Sequence, residues 1–144
     1  MTIRDPVAIA WLAGIYEGEG TLGVNSSNGR WVAIIAMCDE DVVRRVQDVA
    51  GFGNVHLFDP PSRRRPGWTL SYRWRSSRVP DLVSLFTELR PHLGIRRGAR
   101  VDEMLQWETD GRPSLITYEA REIHNDNRRR RRAARAAAGL PRGN

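Results

Sequence analysis

At 144 residues, with 40% apolar side chains and five Trp, the chain can build one packed domain around a real core and still leave length for a tail. No apolar run approaches the ~20 residues needed to span a bilayer, and no signal-peptide pattern is present. The single cysteine, Cys38, excludes an internal disulfide framework and fits a reducing compartment, and His56, His92 and His124 lie too far apart for zinc-ligand spacing.

The charge is uneven. All 23 basic residues are Arg, seven of them within 128–144 where there is no acid, so residues 1–127 hold 16 Arg against 17 acids. Inside that near-neutral body, positions 60–80 carry Arg63, Arg64, Arg65, Arg73, Arg75 and Arg78 and no acid. A basic stripe and a basic tail on a neutral body point to a polyanionic partner, and the planar guanidinium fork suits phosphates and guanine edges.

Asp5-Pro6 reads as a helix start, Asp as N-cap and Pro at the first helical position. The helix that follows is apolar almost all round and ends in Glu17-Gly18-Glu19-Gly20, so more than one of its sides should be buried. A strand with Thr21, Gly23 and Asn25 alternating against Leu22 and Val24 leads to the turn signal Ser26-Ser27-Asn28-Gly29 and a second, largely apolar strand from Trp31 to Met37. Asp39 is placed to cap a helix that presents Val42, Val43, Val46 and Val49 on one face and stops at Gly51. Asn54 to Phe58 reads as a third strand. Across a Pro- and Arg-rich loop, Trp68 to Arg75 reads as a fourth, with Trp68, Leu70, Tyr72 and Trp74 on its apolar face and Thr69, Ser71, Arg73 and Arg75 on the other. Helices are predicted at about 80–90 and 96–108, separated by Pro91-His92-Leu93-Gly94. Beyond Gly111-Arg112-Pro113 the chain turns polar, although 117–138 has helix-forming composition. The order α-ββ-α-ββ-α-α plus a tail argues for an α+β fold of antiparallel hairpins, with a domain over 1–112 and a basic, Arg-rich extension over 113–144, partly helical or disordered.

Leu12-Ala13-Gly14-Ile15-Tyr16-Glu17-Gly18-Glu19-Gly20 resembles the LAGLIDADG motif position by position, with Glu where the family has Asp. The resemblance extends to the α-ββ-α-ββ-α order over roughly 6–108 and to the Pro-x-Leu-x-x-Arg segment at 91–96. It implies a homing-endonuclease-like fold whose curved four-stranded antiparallel sheet forms a DNA-binding saddle. A single motif copy implies a homodimer, paired through Leu12, Ala13, Gly14, Tyr16, Glu17 and Gly18. By the same resemblance Glu19 matches the metal-binding catalytic acid, Gly18 lends its backbone carbonyl to that metal, and Glu17 matches an acidic position that is more often structural. Arg96 matches a basic residue near the scissile phosphate, and Asp39 a polar residue that orients water. The implied cofactor is Mg²⁺ or Mn²⁺.

Residue physics adds its own weight. Gly14-x-x-x-Gly18, beside Ala13, makes a small-residue face along which another helix can approach closely. Glu17 and Glu19 sit at the negative end of that helix, unfavourable by ~0.3–1 kcal/mol each, and a hard cation would offset the charge with oxygen ligands; the alternative is a pair of solvated acids. For Asp39 the competing role is N-cap, and for Arg96 a phosphate anchor or a surface charge at a helix start.

On such a saddle, strand alternation nominates Thr21, Asn25, Ser27, Arg30, Asn54, His56, Thr69, Ser71, Arg73 and Arg75 for the major groove, with Arg73 and Arg75 suited to guanine. Arg63, Arg64, Arg65 and Arg78 suit phosphates. Outward positions of the second strand, Val32, Ile34 and Ala36, are apolar, so base readout there should be sparse or limited to thymine methyls. The expected function is metal-dependent double-strand cleavage of DNA at a near-palindromic site by a homodimer encoded in a mobile genetic element. The expected location is cytoplasmic, nucleoid-associated when bound to DNA, with no membrane partner. The alternatives are an inactive DNA-binding regulator derived from the same family and an RNA-binding intron maturase.

Overall fold

A computed structural model describes residues 4–58, 67, 69–116 and 118–139. Arg63, Arg64, Arg65 and Trp68 lie outside the described residues. The chain divides into two compact units, Met1–Gly23 with Trp31–Pro113, and Val24–Arg30 with Ser114–Asn144.

Helix α1 (Pro6–Glu19) starts where the sequence places it: the Asp5 carboxylate accepts the N–H of Val7 at 3.3 Å and of Ala8 at 3.2 Å, with Pro6 leading the helix. Strands β1 (Gly20–Asn25) and β2 (Arg30–Met37) follow, then α2 (Glu40–Ala50), which ends on Gly51 at φ 77°, a left-handed turn that glycine adopts without strain. Asp39 holds the N-cap position of α2, but its side chain makes no capping hydrogen bond; Glu40 and Asp41 supply the negative charge in the first turn instead.

Strand β3 (Asn54–Phe58) matches its expected bounds, whereas β4 runs Ser71–Ser76 and starts three residues later than its alternation suggests. Ser71 pairs with Phe58, the last described residue of β3, and Tyr72 with Met37, the end of β2. Leu70 is exposed, and the apolar face of β4 reduces to Tyr72 and Trp74, joined by the buried Ser76. Helices α3 (Val79–Leu89) and α4 (Ile95–Thr109) follow, joined by a 3₁₀ turn at Arg90–His92.

The sheet order is β1-β2-β4-β3, with β4 antiparallel to both neighbours. In the first unit α2 packs on β4 and β3, α1 packs on α2 and α3, and α3 packs on α4. Trp31, Ile35, Trp74, Val43, Val46, Leu12, Tyr16, Phe86 and Met104 fill the core between sheet and helices. Trp74 is held in place by its indole N–H, which donates to the Phe52 carbonyl at 2.9 Å. The second unit contains the β1–β2 turn and α5 (Tyr118–Ala137), so the helix-forming composition of the tail is realised as one continuous helix. Within this unit the Asn25 side chain accepts the backbone N–H of Ser27 at 2.9 Å and its hydroxyl at 2.6 Å, an Asx turn that closes the tip.

Candidate functional site

The motif helix presents two opposed faces. Leu12, Ala13 and Tyr16 are each 1% exposed, packed within the protomer, so these three of the six residues expected at a dimer interface are core instead. Their spacing explains it, since positions 9, 12, 13 and 16 fall on the single stripe that meets α2 and α3. The outward stripe is Val7, Ala10, Gly14 and Gly18; Val7 is 76% exposed, and a Cβ added at either glycine would meet nothing within 4 Å. Each glycine therefore costs about 1 kcal/mol of helix propensity with no packing reason among the described residues. Val7 and Ala10 were missed from sequence, although counting back from Gly14 and Gly18 in steps of three and four reaches both.

The two motif acids behave differently. Glu17 accepts the N–H of Gly94, the N-cap of α4, at 3.1 Å, and so secures the start of that helix. Glu19, the last residue of α1, is exposed and makes no hydrogen bond or ion pair with a described residue. Gly18, beside it, is exposed as well.

What fixes the end of α1 is a clamp the sequence did not reveal. Arg97 of α4 donates from Nη1 to the Gly20 carbonyl, and Arg100, one turn on, donates from Nε to the Leu22 carbonyl at 3.1 Å. β1 is an edge strand, and its alternate carbonyls meet arginines three apart on a helix that covers the edge. The Arg97 guanidinium also lies 5.5 Å from the centre of the Tyr16 ring, whose edge meets Phe86 at 5.0 Å. Gly20 completes the lock, because a Cβ there would sit 2.0 Å from Tyr16 Cδ2. Arg96, the basic residue singled out from sequence, lies exposed in the first turn of α4. One residue step around a helix turns ~100°, which is why Arg96 and Arg97 have different surroundings.

The Tyr16 hydroxyl is buried without a hydrogen-bond partner, and burial pushes its pKa up from 10.0 to about 12, partly offset by Arg97. The raised value means that stability linked to Tyr16 is fully present below pH 10 and lost as pH rises towards 12. Tyr16→Phe removes a desolvated hydroxyl that bonds to nothing. It is expected to leave stability equal or up to ~1 kcal/mol higher at neutral pH and to flatten the alkaline decline, as read from denaturant midpoints between pH 8 and 12. A loss of more than 1 kcal/mol at pH 7 would show that the hydroxyl has a partner after all.

The sheet face away from the helices carries Val32, Ile34 and Ala36 on β2, Ser71, Arg73 and Arg75 on β4, and Asn54, His56 and Phe58 on β3; register sets Ile34, Arg75 and Asn54 side by side, as it does Ala36, Arg73 and His56. Arg75, Asn54 and His56 are exposed. The Arg73 guanidinium lies 3.5 Å from the centre of the Phe58 ring, a contact that holds a long side chain in one orientation. Phe58 was not singled out from sequence, although its parity with His56 was the available signal. Of the other nominated groups, Thr69 is exposed but lies before β4, and Thr21 donates its hydroxyl to the Ile34 carbonyl at 3.4 Å. Arg78 is the N-cap residue of α3 and pairs with Asp81 at 2.9 Å. In the second unit, Asn25 and Ser27 close the turn on each other and Arg30 is exposed. Asn54, His56, Arg75 and Arg78, with Gly53, Ser76, Ser77 and Asp81, line a cavity of about 360 Å³.

A divalent cation would find all-oxygen donors at the α1 terminus, the Glu19 carboxylate and the Gly18 carbonyl. Their chemistry fits a hard ion, but one chain offers a single uncommitted carboxylate there, and among the described residues no cluster of three His, Cys, Asp or Glu forms. The described residues by themselves do not complete a shell.

No family model matches the sequence, and no curated protein matches it. Solved structures do match. The homing endonuclease I-TnaI aligns at TM-score 0.53 and 18% identity over 100% of this chain and 92% of its own. The homing endonuclease I-CvuI, in complex with its target in the presence of Ca, aligns at TM-score 0.53 and 18% identity over 70% of this chain, which spans 65% of that protein's length. The archaeal intron-encoded homing endonuclease I-Vdi141I, complexed with DNA, aligns at TM-score 0.54 and 15% identity over 73% of this chain and 70% of its own. With its motif helix, four-stranded antiparallel sheet and supporting helices in the same arrangement, the chain has the fold of the LAGLIDADG homing endonucleases.

Proposed function

We propose that this chain is a site-specific double-strand DNA endonuclease that uses divalent metal ions, Mg²⁺ or Mn²⁺, and acts as a homodimer on a near-palindromic site. The observation that carries this reading is Glu19: an exposed, uncommitted carboxylate at the negative end of a helix whose outward face is stripped to glycine. Two such helices meeting along Val7, Ala10, Gly14 and Gly18 bring one Glu19 from each protomer together and supply the oxygen donors that one chain lacks. When bound there, the cation supplies Lewis-acid stabilisation of the attacking and leaving oxygens. Glu19 and the Gly18 carbonyl would hold it, Arg97 and Tyr16 keep the helix end fixed, and the exposed Arg96 would offset charge on the phosphate. Asp39, exposed at the end of β2 with its side chain free of capping duty, is placed to orient water.

The test is selection of bound duplexes from a random pool in Ca²⁺, followed by Mg²⁺ addition to the winners. Enrichment of a near-palindrome that is then cut on both strands supports the reading. Enrichment without cutting leaves a DNA-binding regulator, and enrichment of structured RNA over duplex in a parallel pool would point to a maturase.

Assembly has its own check. Gly14→Arg meets open space within the protomer, so its melting temperature should hold or rise slightly, by up to ~1 kcal/mol of helix propensity. Sedimentation on a duplex bearing the selected site should then show monomer, with cutting lost. A dimer that persists would move the interface elsewhere.

The sheet face would read the major groove, with Arg73 and Arg75 as guanine ligands and Val32, Ile34 and Ala36 against thymine methyls. Arg73→Ala is expected to relax discrimination at one base position by ~1–3 kcal/mol, roughly 5- to 150-fold. Phe58→Ala, which leaves Arg73 present but unstacked, should lose ~0.5–1 kcal/mol of it. Competition among singly substituted duplexes measures both, and unchanged discrimination in the Arg73 variant would remove that residue from readout.

A further inference from the structure

The arginine run of α5 takes no part in the proposed cleavage reaction, yet it is the most concentrated charge on the molecule. Six of the eight residues from Arg128 to Arg135 are Arg, and every residue from 125 to 139 is exposed, so this stretch has no buried side. Such a helix gains nothing from packing. Its own charges also oppose it: Arg128 with Arg131 and Arg132, Arg129 with Arg132, and Arg135 with Arg131 and Arg132 all stand three or four apart, spacings at which like charges destabilise a helix. Arg130 pairs with Asp126 at 2.8 Å, while Arg128, Arg129, Arg131 and Arg132 make no ion pair with a described residue.

We propose that α5 is a sequence-independent grip on double-stranded DNA, its helix stabilised by the phosphates its arginines neutralise. Charge density picks out this partner. Arg128, Arg129, Arg131 and Arg132 span four helical steps, about 6 Å, which sets one such charge every ~1.5 Å along the axis. Duplex DNA carries one negative charge per ~1.7 Å, so the two match almost charge for charge, whereas a single strand offers about half that density. Arginines distributed round the whole helix, with no hydrogen-bonding side chain among them other than guanidinium, suit phosphate neutralisation rather than base reading.

The inference does not rest on nuclease activity, and the experiment is run in EDTA on a random-sequence 30-base-pair duplex. The full chain is compared with a variant carrying Arg128→Gln, Arg129→Gln, Arg131→Gln and Arg132→Gln, substitutions that keep helix propensity and leave the Asp126–Arg130 pair intact. In the full chain, helical circular dichroism should rise as duplex is added, and log K should fall steeply with log salt. In the variant the helix signal should be at least as strong without DNA and should gain nothing from it. Its salt slope should be shallower by about 3 to 4, from four charges at ~0.9 each. A melting curve of the variant that matches wild type shows that the rest of the molecule is folded. An unchanged slope overturns the proposal. So does tighter binding of structured RNA than of duplex, abolished by the same four substitutions, which would make RNA the partner.

Discussion

Glu19→Gln is expected to reduce double-strand cleavage by at least ~1,000-fold while leaving duplex affinity within a few-fold of wild type. The carboxylate makes no hydrogen bond or ion pair with a described residue, so its loss withdraws nothing from folding. Glutamine keeps the length and shape of the arm but carries no charge, so its amide oxygen offsets none of the charge of a hard cation. Loss of the ion withdraws stabilisation at both the attacking and the leaving oxygen. Binding through the strand face, as proposed, should persist, and the melting temperature should hold or rise slightly, since a negative charge leaves the unfavourable end of α1. The neighbouring acid separates the roles. Glu17→Gln weakens the hold on the Gly94 N–H and should show itself chiefly as lower stability. Full cleavage by the Glu19 variant would exclude this carboxylate from the reaction.

Gly20→Ala should be as damaging by a different route. Backbone strain is not the reason, because Gly20 sits at φ −83°, ψ 152°, open to any residue. The obstacle is steric: the new methyl would fall 2.0 Å from Tyr16 Cδ2. Tyr16 has nowhere to go, being 1% exposed, edge-on to Phe86 and next to the Arg97 guanidinium. Relief must come from the backbone at the end of α1 or from the Arg97 bond to the Gly20 carbonyl, and either displaces Glu19. A stability loss of ~1–3 kcal/mol is expected by denaturant titration, with cleavage reduced by more than the unfolded fraction accounts for. Adding Tyr16→Leu removes the ring that causes the clash, so the double variant should be less destabilised than the two single effects added together. Strict additivity would mean that Gly20 and Tyr16 do not oppose each other.

Most of the architecture was legible because its causes are local. Asp5-Pro6 starts a helix, Gly51 ends one, and two hairpins set between helices leave few ways to bury the apolar residues. The motif at 12–20 named the fold before any coordinates. Less legible were features settled by partners distant in sequence. The start of β4 was placed too early because side-chain alternation does not say where ladder pairing begins, which here is at Ser71 opposite Phe58. Assigning Leu12, Ala13 and Tyr16 to a dimer seam failed because a helix apolar all round does not say which stripe the protomer keeps for itself. The Arg97–Gly20–Tyr16 clamp joins residues 77 apart, and nothing in the spacing of Arg96 and Arg97 distinguishes the two.

The two-sidedness of α1 bears on how such a chain can change over time. Residues one step apart along this helix, Ala13 and Gly14, answer to different demands, the first to the protomer's interior and the second to whatever lies outside it. Drift at positions 7, 10, 14 and 18 can therefore alter the stripe proposed to meet a second copy without loosening the interior, and interior repacking can proceed without changing that stripe. A lineage free to alter each separately can vary its outward face while its scaffold stays intact.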